Sequence, residues 1–257
     1  KVIILVIVIS LAPGLIGCTA PGPRWSADPF SLGVASGDPR PDGFVLWTRL
    51  APEPLSLDAA TPGGMSGAAV PVAYQIASDP AMRSVLRRGT ALAEPDFAWS
   101  VHVEVSGLAP GRPYWYRFAA GSAQSSIGRA MTAPTPGASL ERLKFGFVSC
   151  ANYELGYFSA YRHLAAEEPE LVIFLGDYIY EYVGTRPGVR RHSDGVAAHD
   201  LRTYRNRYAQ YRTDPDLRRL HASAPALMTW DDHEVQNDYA DQWCQTFHDP
   251  AKFLERR

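Results

Sequence analysis

The chain has 257 residues, of which 46% are hydrophobic and 20% are charged. This length accommodates one large domain or two ordinary ones, and the apolar fraction is ample for a buried core, which argues against disorder along the whole chain. The formal net charge is −2, from 25 Lys and Arg against 27 Asp and Glu, so we expect no nucleic-acid-binding module. With only 3 cysteines, a disulfide-stapled miniprotein is excluded.

An apolar segment follows Lys1 and ends at Cys18. Residues 2–17 carry no charge, but Ser, Pro and Gly interrupt them, so the span is too short and too broken for a membrane-spanning helix. The span is typical of an export signal, and its end, LIGC, resembles the lipobox of bacterial lipoproteins. We expect a signal peptide over residues 1–17 and a lipid on Cys18 that anchors the protein to the membrane, in the periplasm or at the cell surface. An export signal that happens to contain a cysteine, or a buried first strand, is the alternative.

A linker is predicted over residues 18–29, and a β-sandwich over residues 30–133. The sandwich is indicated by short alternating segments, which predict strands at residues 44–50, 72–76, 99–105 and 114–118. The run GLAPGRPYWY at residues 107–116 resembles a late strand of fibronectin type III domains, in which a tyrosine pins the corner. Such a module carries little chemistry of its own.

A joint rich in Pro and Gly at residues 133–137 precedes a segment with a different pattern. Apolar runs at residues 143–148 and 171–175 flank a helical pattern over residues 156–168, and a third run follows at residues 226–230. Strand, helix and buried strand form a βαβ unit, which predicts a mostly parallel sheet covered on both faces. We therefore predict an α/β domain over residues 140–257, with a second helix at residues 198–212 whose arginines lie mostly away from its tyrosine face.

Residues able to bind a metal ion follow the ends of all three predicted strands of this domain. They are, in chain order, Cys150, Asp177, Tyr180, Asp232 and His233. Loops at the carboxyl ends of parallel strands converge, so we expect a ligand site there. A carboxylate can bridge two cations, while a thiolate and a phenolate favour a trivalent or thiophilic metal and further carboxylates favour a harder divalent ion.

Three motifs around these residues resemble the alkaline phosphatase D family. They are FVSCANYELGYF at residues 147–158, LGDYIYEY at residues 175–182 and TWDDHEV at residues 229–235. The segments FSLGVASGDP and VLWTR, at residues 30–39 and 45–49, resemble the start of the N-terminal β domain of that family. The resemblance implies a calcineurin-like metallophosphoesterase that hydrolyses phosphate monoesters or diesters with ferric iron and calcium, by a metal-activated hydroxide.

The resemblance also implies a role for each matched residue. The implied metal ligands are Cys150, Asp177, Tyr180 and Asp232, with Asp232 on the second metal, and the implied catalytic residue is His233, which meets the phosphate. Asp177 would bridge the two metals, while Tyr180 and Cys150 would bind iron. Asp231 either binds the metal directly or orients another ligand, and neither role is favoured. Asn237 is an alternative ligand.

Metallophosphoesterases of this kind take further ligands from a second half of the sheet, whereas this sequence stops at Arg257. We therefore expect a C-terminally truncated catalytic domain with an incomplete metal shell, and the missing initiator Met indicates a missing start. An inactive gene fragment is one alternative. Another is a surface adhesion or ligand-binding lipoprotein with a vestigial catalytic half. A monomer is favoured.

Nine arginines lie between residues 186 and 219. Such a patch can attract or clamp a phosphate ester, but amphipathic helices routinely expose arginine, and the solvated helix face is the favoured interpretation. For His192, His199 and His221 the sequence identifies no partner, and Cys244 is expected to be an ordinary thiol.

Overall fold

The computed structural model describes residues 23–245 and 249–257. The predicted signal peptide, the lipid site at Cys18 and the first part of the linker lie outside the described residues. The described strands are β1 (Val34–Arg40), β2 (Gly43–Arg49), β3 (Val70–Ala77), β4 (Val85–Ala93), β5 (Ser100–Val105), β6 (Pro113–Ala120), β7 (Ala123–Gln124), β8 (Gly128–Met131), β9 (Phe145–Val148), β10 (Leu171–Leu175) and β11 (Pro225–Thr229). The described helices are α1 (Ser159–Ala166), α2 (Leu201–Thr213), α3 (Pro215–Ser223) and α4 (Pro250–Arg256). Within these ranges, no helix has the length and apolar character needed to cross a membrane.

The N-terminal part of the chain is a β-sandwich. A five-stranded sheet of order β4-β3-β6-β7, with β8 also paired to β6, packs against β1, β2 and β5. In β5 the alternation of the sequence is visible, because Val101 and Val103 are buried while His102 between them is exposed. The hydroxyl of Tyr114 donates to the carbonyl of Ala109 at 3.1 Å and accepts from its amide at 2.9 Å, so a tyrosine does pin the corner.

The sandwich and the α/β part share one six-stranded sheet. Its order is β5-β2-β1-β11-β10-β9, and β1 pairs in parallel with β11 through Ser36 opposite Pro225 and Gly37 opposite Ala226. A Cβ atom on Gly37 would lie 2.9 Å from the Ala226 carbonyl oxygen, so only glycine allows this approach without a shift. The sequence did not predict this continuity, because the pairing joins segments on either side of the Pro- and Gly-rich joint.

The described helices cover one face of the parallel strands β9, β10 and β11 and leave the other face open. Val172 and Phe174 of β10 are buried in a cluster with side chains of α1 and α3. On the opposite face, Phe147 is 67% exposed and Leu175 is 46% exposed. The prediction of a sheet covered on both faces is therefore wrong for the described residues, because the second sheet covers β1, β2 and β5 and no described helix packs over Phe147.

Two of the helices were predicted and two were missed. The patterns at residues 156–168 and 198–212 correspond to α1 and α2, and α2 begins with a capping box formed by Asp200 and Thr203. For α3, the side chain of Asp214 accepts hydrogen bonds from the backbone amides of Asp216 and Leu217. Asp followed by Pro is a helix-start signal, so the start of α3 is visible in the sequence.

Several arginines between residues 186 and 219 are structural. Arg207 is fully buried and forms an ion pair with Asp194 at 3.3 Å. Arg212 is also buried, and it donates to the carbonyl of Leu32 at 3.0 Å, which ties α2 to the sandwich. The solvated-face interpretation is therefore wrong for these two residues, because both guanidinium groups donate to acceptors inside the fold, and only Arg207 has a carboxylate among them.

Two buried histidines, His192 and His221, should make the stability of the folded chain depend on pH. Burial, followed by the charge of Arg212, lowers the pKa of His221 well below its usual value. Burial, followed by the charge of Arg207, lowers the pKa of His192 to about 4. Both side chains stay neutral in the folded chain at pH values where the unfolded chain protonates them, so stability falls as the pH drops below about 6.5.

We expect a lower melting temperature at about pH 5 than at about pH 7.5, and a smaller difference for His221→Gln, which removes one of these titrations. His199→Gln, at an exposed position, is the matched control and should leave the difference unchanged. Calorimetry at both pH values checks this. If the melting temperatures of His221→Gln and His199→Gln change equally between the two pH values, His221 does not cause the pH dependence.

Candidate functional site

The loops after β9, β10 and β11 meet at one edge of the sheet, as their parallel arrangement requires. The amide of Cys150 donates to the carbonyl of Gly176 at 3.4 Å, and the amide of Ala151 donates to the carbonyl of Asp177 at 3.0 Å. The first loop therefore lies directly against the second. Side chains that follow β9 and β10 are brought to the same place by these backbone contacts.

The buried carboxylate of Glu234 holds the second and third loops together. Its Oε2 accepts hydrogen bonds from the amides of Asp177 at 3.1 Å and Asp231 at 2.9 Å, and its Oε1 accepts one from the amide of Tyr178. Gly176 allows this approach, since it has a φ of +92° and a Cβ atom there would lie 2.4 Å from Cβ of Asp231. No role for Glu234 is evident from the sequence, where its one signal is its place in the TWDDHEV motif.

Asp177, Asp232 and His233 form a group able to hold a metal ion. Each places one ligand atom within 4.8 Å of the other two. Asp177 is buried, and its Oδ1 has no hydrogen-bond partner among the described residues. A buried carboxylate oxygen without a donor is costly unless a cation compensates it. The residues present therefore fit a metal ion.

Tyr180 lies beside Asp177 and His233. Its hydroxyl donates to Oδ2 of Asp177 at 3.1 Å, and its ring centroid lies 4.1 Å from that of His233. Burial, followed by the charge of Asp177 and this hydrogen bond, raises the pKa of Tyr180. Helix α2 fixes the backbone there, because the amide of Tyr180 donates to the hydroxyl of Tyr211 at 3.0 Å and Arg207 donates to the Tyr180 carbonyl.

Glu181 orients the imidazole of His233. Nδ1 of His233 lies 2.7 Å from Oε2 of Glu181, whose other oxygen accepts from the amide of Asn237 at 3.0 Å. An ionised carboxylate accepts hydrogen bonds, so Nδ1 carries the proton in this contact. Nε2 is then the nitrogen available to bind a metal ion together with Asp177 and Asp232. Burial disfavours the imidazolium, but the hydrogen bond and the charge of Glu181 outweigh it and raise the pKa of His233. Glu181 was not predicted, and its one signal in the sequence is its position after Tyr180.

The structure separates Asp232 from the alternative ligands beside it. Asp232 belongs to the metal-binding group, and its Oδ2 also accepts from the amide of Asp238 at 2.6 Å. Asp231 is exposed and contributes its backbone amide to Glu234. The side-chain amide of Asn237 donates to Oδ2 of Asp238 at 2.8 Å. Of the two adjacent aspartates, Asp232 is the one placed beside Asp177 and His233.

Cys150 lies next to this group without belonging to it. Its thiol is free and exposed, and Cys150 is among the residues whose electrostatic effect raises the pKa of Tyr180. Cys150 and Asp177 both have left-handed backbones, with φ of 57° and 51°. Such strain in residues other than glycine is concentrated at functional sites. The role of Cys150 as an iron ligand stays a prediction.

Comparison with known proteins gives a consistent result over both parts of the chain. The profile described as PhoD-like phosphatase matches residues 145–257, and that of the PhoD-like phosphatase N-terminal domain matches residues 17–134. Alkaline phosphatase D of Bacillus subtilis (strain 168) is 47% identical over 240 residues, which are 91% of this chain and 40% of that protein. A solved structure titled "Structure of PhoD" superposes with a TM-score of 0.85 at 47% identity, over 91% of this chain and 45% of that one. The chain thus spans less than half the length of these relatives.

Gly176→Ala tests the contact between the second and third loops. A methyl group there meets Cβ of Asp231 in a left-handed backbone, so we expect a lower melting temperature, a loss of roughly 1–3 kcal/mol in stability and weaker metal binding. Gly156→Ala is the matched control, since nothing lies within 4 Å of its Cβ position. Thermal unfolding and metal titration check both variants, and unchanged values for Gly176→Ala would show that the loops do not need this approach.

Proposed function

The chain belongs to the PhoD-like phosphatase family, and we propose that it carries the metal-binding part of a phosphoric ester hydrolase. One observation above all supports this: Asp177, Asp232 and His233 converge at the carboxyl edge of three parallel strands, with a buried carboxylate oxygen that has no donor. The name of the relative, alkaline phosphatase D, supports a phosphate ester as substrate, which we propose to be a monoester or a diester. A surface adhesion or ligand-binding lipoprotein is not favoured, since family and site both indicate a phosphatase.

We propose ferric iron and calcium as the two ions. Asp177 would contribute to both, Tyr180 and Cys150 would complete the iron side, and Asp232 would bind calcium. A phenolate and a thiolate suit a trivalent or thiophilic ion, while carboxylate oxygens suit a hard divalent one. When bound, such ions polarise phosphoryl oxygens and lower the pKa of a coordinated water.

The chain's own residues would hold and orient the reacting groups. Glu234 keeps Asp177 and the backbone next to Asp232 at a set separation. Glu181 holds the imidazole of His233 so that Nε2 faces the phosphoryl or leaving-group oxygen, and a hydrogen bond or a proton exchanged there stabilises the developing charge. Positioned donors of this kind need no reorganisation when the reaction occurs.

Asp177→Asn is the direct test of the proposed function. In a version of the protein with the full length of its relatives, loss of this ligand should weaken metal binding at least roughly tenfold and abolish hydrolysis of a chromogenic phosphate ester. Asp231→Asn, at the exposed neighbour of Asp232, is the control and should keep both properties. Titration calorimetry with each metal and an absorbance assay measure the outcome. Metal binding or hydrolysis that survives Asp177→Asn would contradict the proposal.

We also propose that the protein is an exported bacterial lipoprotein, anchored through a lipid on Cys18 and active outside the cytoplasm. The uncharged apolar segment at residues 2–17 and its LIGC end support this. Cells that express the chain should incorporate a labelled fatty acid into it, and Cys18→Ser should abolish the label while Cys244→Ser keeps it. Equal labelling of both variants would contradict the anchor.

A further inference from the structure

A cavity of about 650 Å³ lies between the sandwich and α2. Its walls are the outer face of β1, β2 and β5, opposite the sandwich core, and one face of α2. None of Asp177, Tyr180, Asp232 and His233 lines it, so it is separate from the candidate metal site. Most of its surface is apolar or aromatic, with contributions from Val45, Trp47, Leu201, Tyr204, Tyr208 and Met228.

Two buried arginines line this cavity without a carboxylate partner. Arg49 is 5% exposed and Arg212 is 6% exposed. Nε of Arg49 donates to the carbonyl of Ala98 at 2.9 Å, and Arg212 donates to the carbonyl of Leu32 at 3.0 Å. Among the ion pairs within 4.0 Å that the described residues form, none involves either guanidinium.

The surroundings of Arg212 show an excess of positive charge. Its Nε is buried and donates no hydrogen bond to any described residue. Arg207, on the same helix, shows the usual arrangement, since it pairs with Asp194 at 3.3 Å. A buried charge is costly unless it is paired, so the arginines of the cavity favour an anion between them.

A third arginine adds positive charge at the wall of the cavity that α2 forms. Arg205 is half-buried and lines the cavity. Burial, followed by the charge of Arg205, lowers the pKa of Arg49 to about 10. His102 and Asp38 are exposed at the rim, and Asp38 is the carboxylate that lines the cavity. The charge balance inside the cavity is therefore positive while its walls are apolar.

We propose that this cavity binds an amphipathic organic anion. Its carboxylate or phosphate head would lie among Arg49, Arg205 and Arg212, and its apolar body would lie against Trp47 and the tyrosines of α2. The volume is in the range of sites that hold small organic ligands, roughly 300–1,000 Å³. Guanidinium groups suit both head groups, since their N–H donors match two oxygens at once. This inference does not depend on the proposed phosphatase function.

Three probes that share an eight-carbon chain test the charge requirement. Calorimetric titration of the chain in the presence of a chelator compares octanoate, 1-octanol and octyltrimethylammonium. We expect octanoate to bind at least tenfold more tightly than octanol, and the cation not to bind. Equal affinities for octanoate and octanol, or no binding of octanoate, would overturn the proposal.

Variants of α2 test the place of binding. Arg205→Gln should raise the Kd of octanoate five- to tenfold, while Arg202→Gln, which is exposed on the same helix and does not line the cavity, should leave it unchanged. Val45→Glu adds a carboxylate to the opposite wall and should abolish octanoate binding. Melting temperatures establish that each variant is folded. Equal effects of Arg205→Gln and Arg202→Gln, or full binding to a folded Val45→Glu, would overturn the assignment.

Discussion

The carboxylate of Glu234 is the contact on which the candidate site depends. It receives backbone amides from the loop after β10 and from the loop after β11, and the first of these residues lies 57 positions away in the chain. No local turn can set the distance between segments that far apart. Hydrogen bonds to a charged acceptor contribute roughly 1.5–3 kcal/mol each, so three amides offset the cost of burying this charge. The separation of Asp177 from Asp232 follows from this one side chain.

Helix α2 is the second support, and it acts from outside the sheet. The hydroxyl of Tyr211 accepts the amides of Tyr153 at 3.2 Å and Tyr180 at 3.0 Å, so it joins the loops after β9 and β10. One turn earlier, Arg207 donates to carbonyls of the loop after β10. One residue later, Arg212 reaches the carbonyl of Leu32 in the sandwich. The helix therefore couples the site to the N-terminal part, and the shared sheet couples them again through β1 and β11.

The sequence predicted those features that are encoded within a short segment of the chain. The apolar runs gave the positions of β9, β10 and β11, and the residues after them, Asp177 and Asp232, lie together because parallel strands end at one edge. The roles of Glu181 and Glu234 could not be predicted, since a glutamate that accepts distant amides looks like any other glutamate in the sequence. The prediction that Arg207 lies on a solvated helix face failed for the same reason. Its acceptors are mostly carbonyls that come near it only in the folded chain. The exposure of the sheet face at Phe147 could not be predicted either, since an apolar run does not show which other elements pack against it.

The central claim is that the loops after β10 and β11 place Asp177 at the centre of a metal site, where one of its carboxylate oxygens has no donor among the described residues. Crystals of the chain grown with ferric iron, measured on both sides of the iron absorption edge, test it most directly. We predict an anomalous difference peak within bonding distance of the Asp177 carboxylate and of the Tyr180 hydroxyl oxygen, with Glu234 still bound to the three amides. A peak elsewhere in the chain, or an Asp177 carboxylate that binds only water in those crystals, would contradict the account.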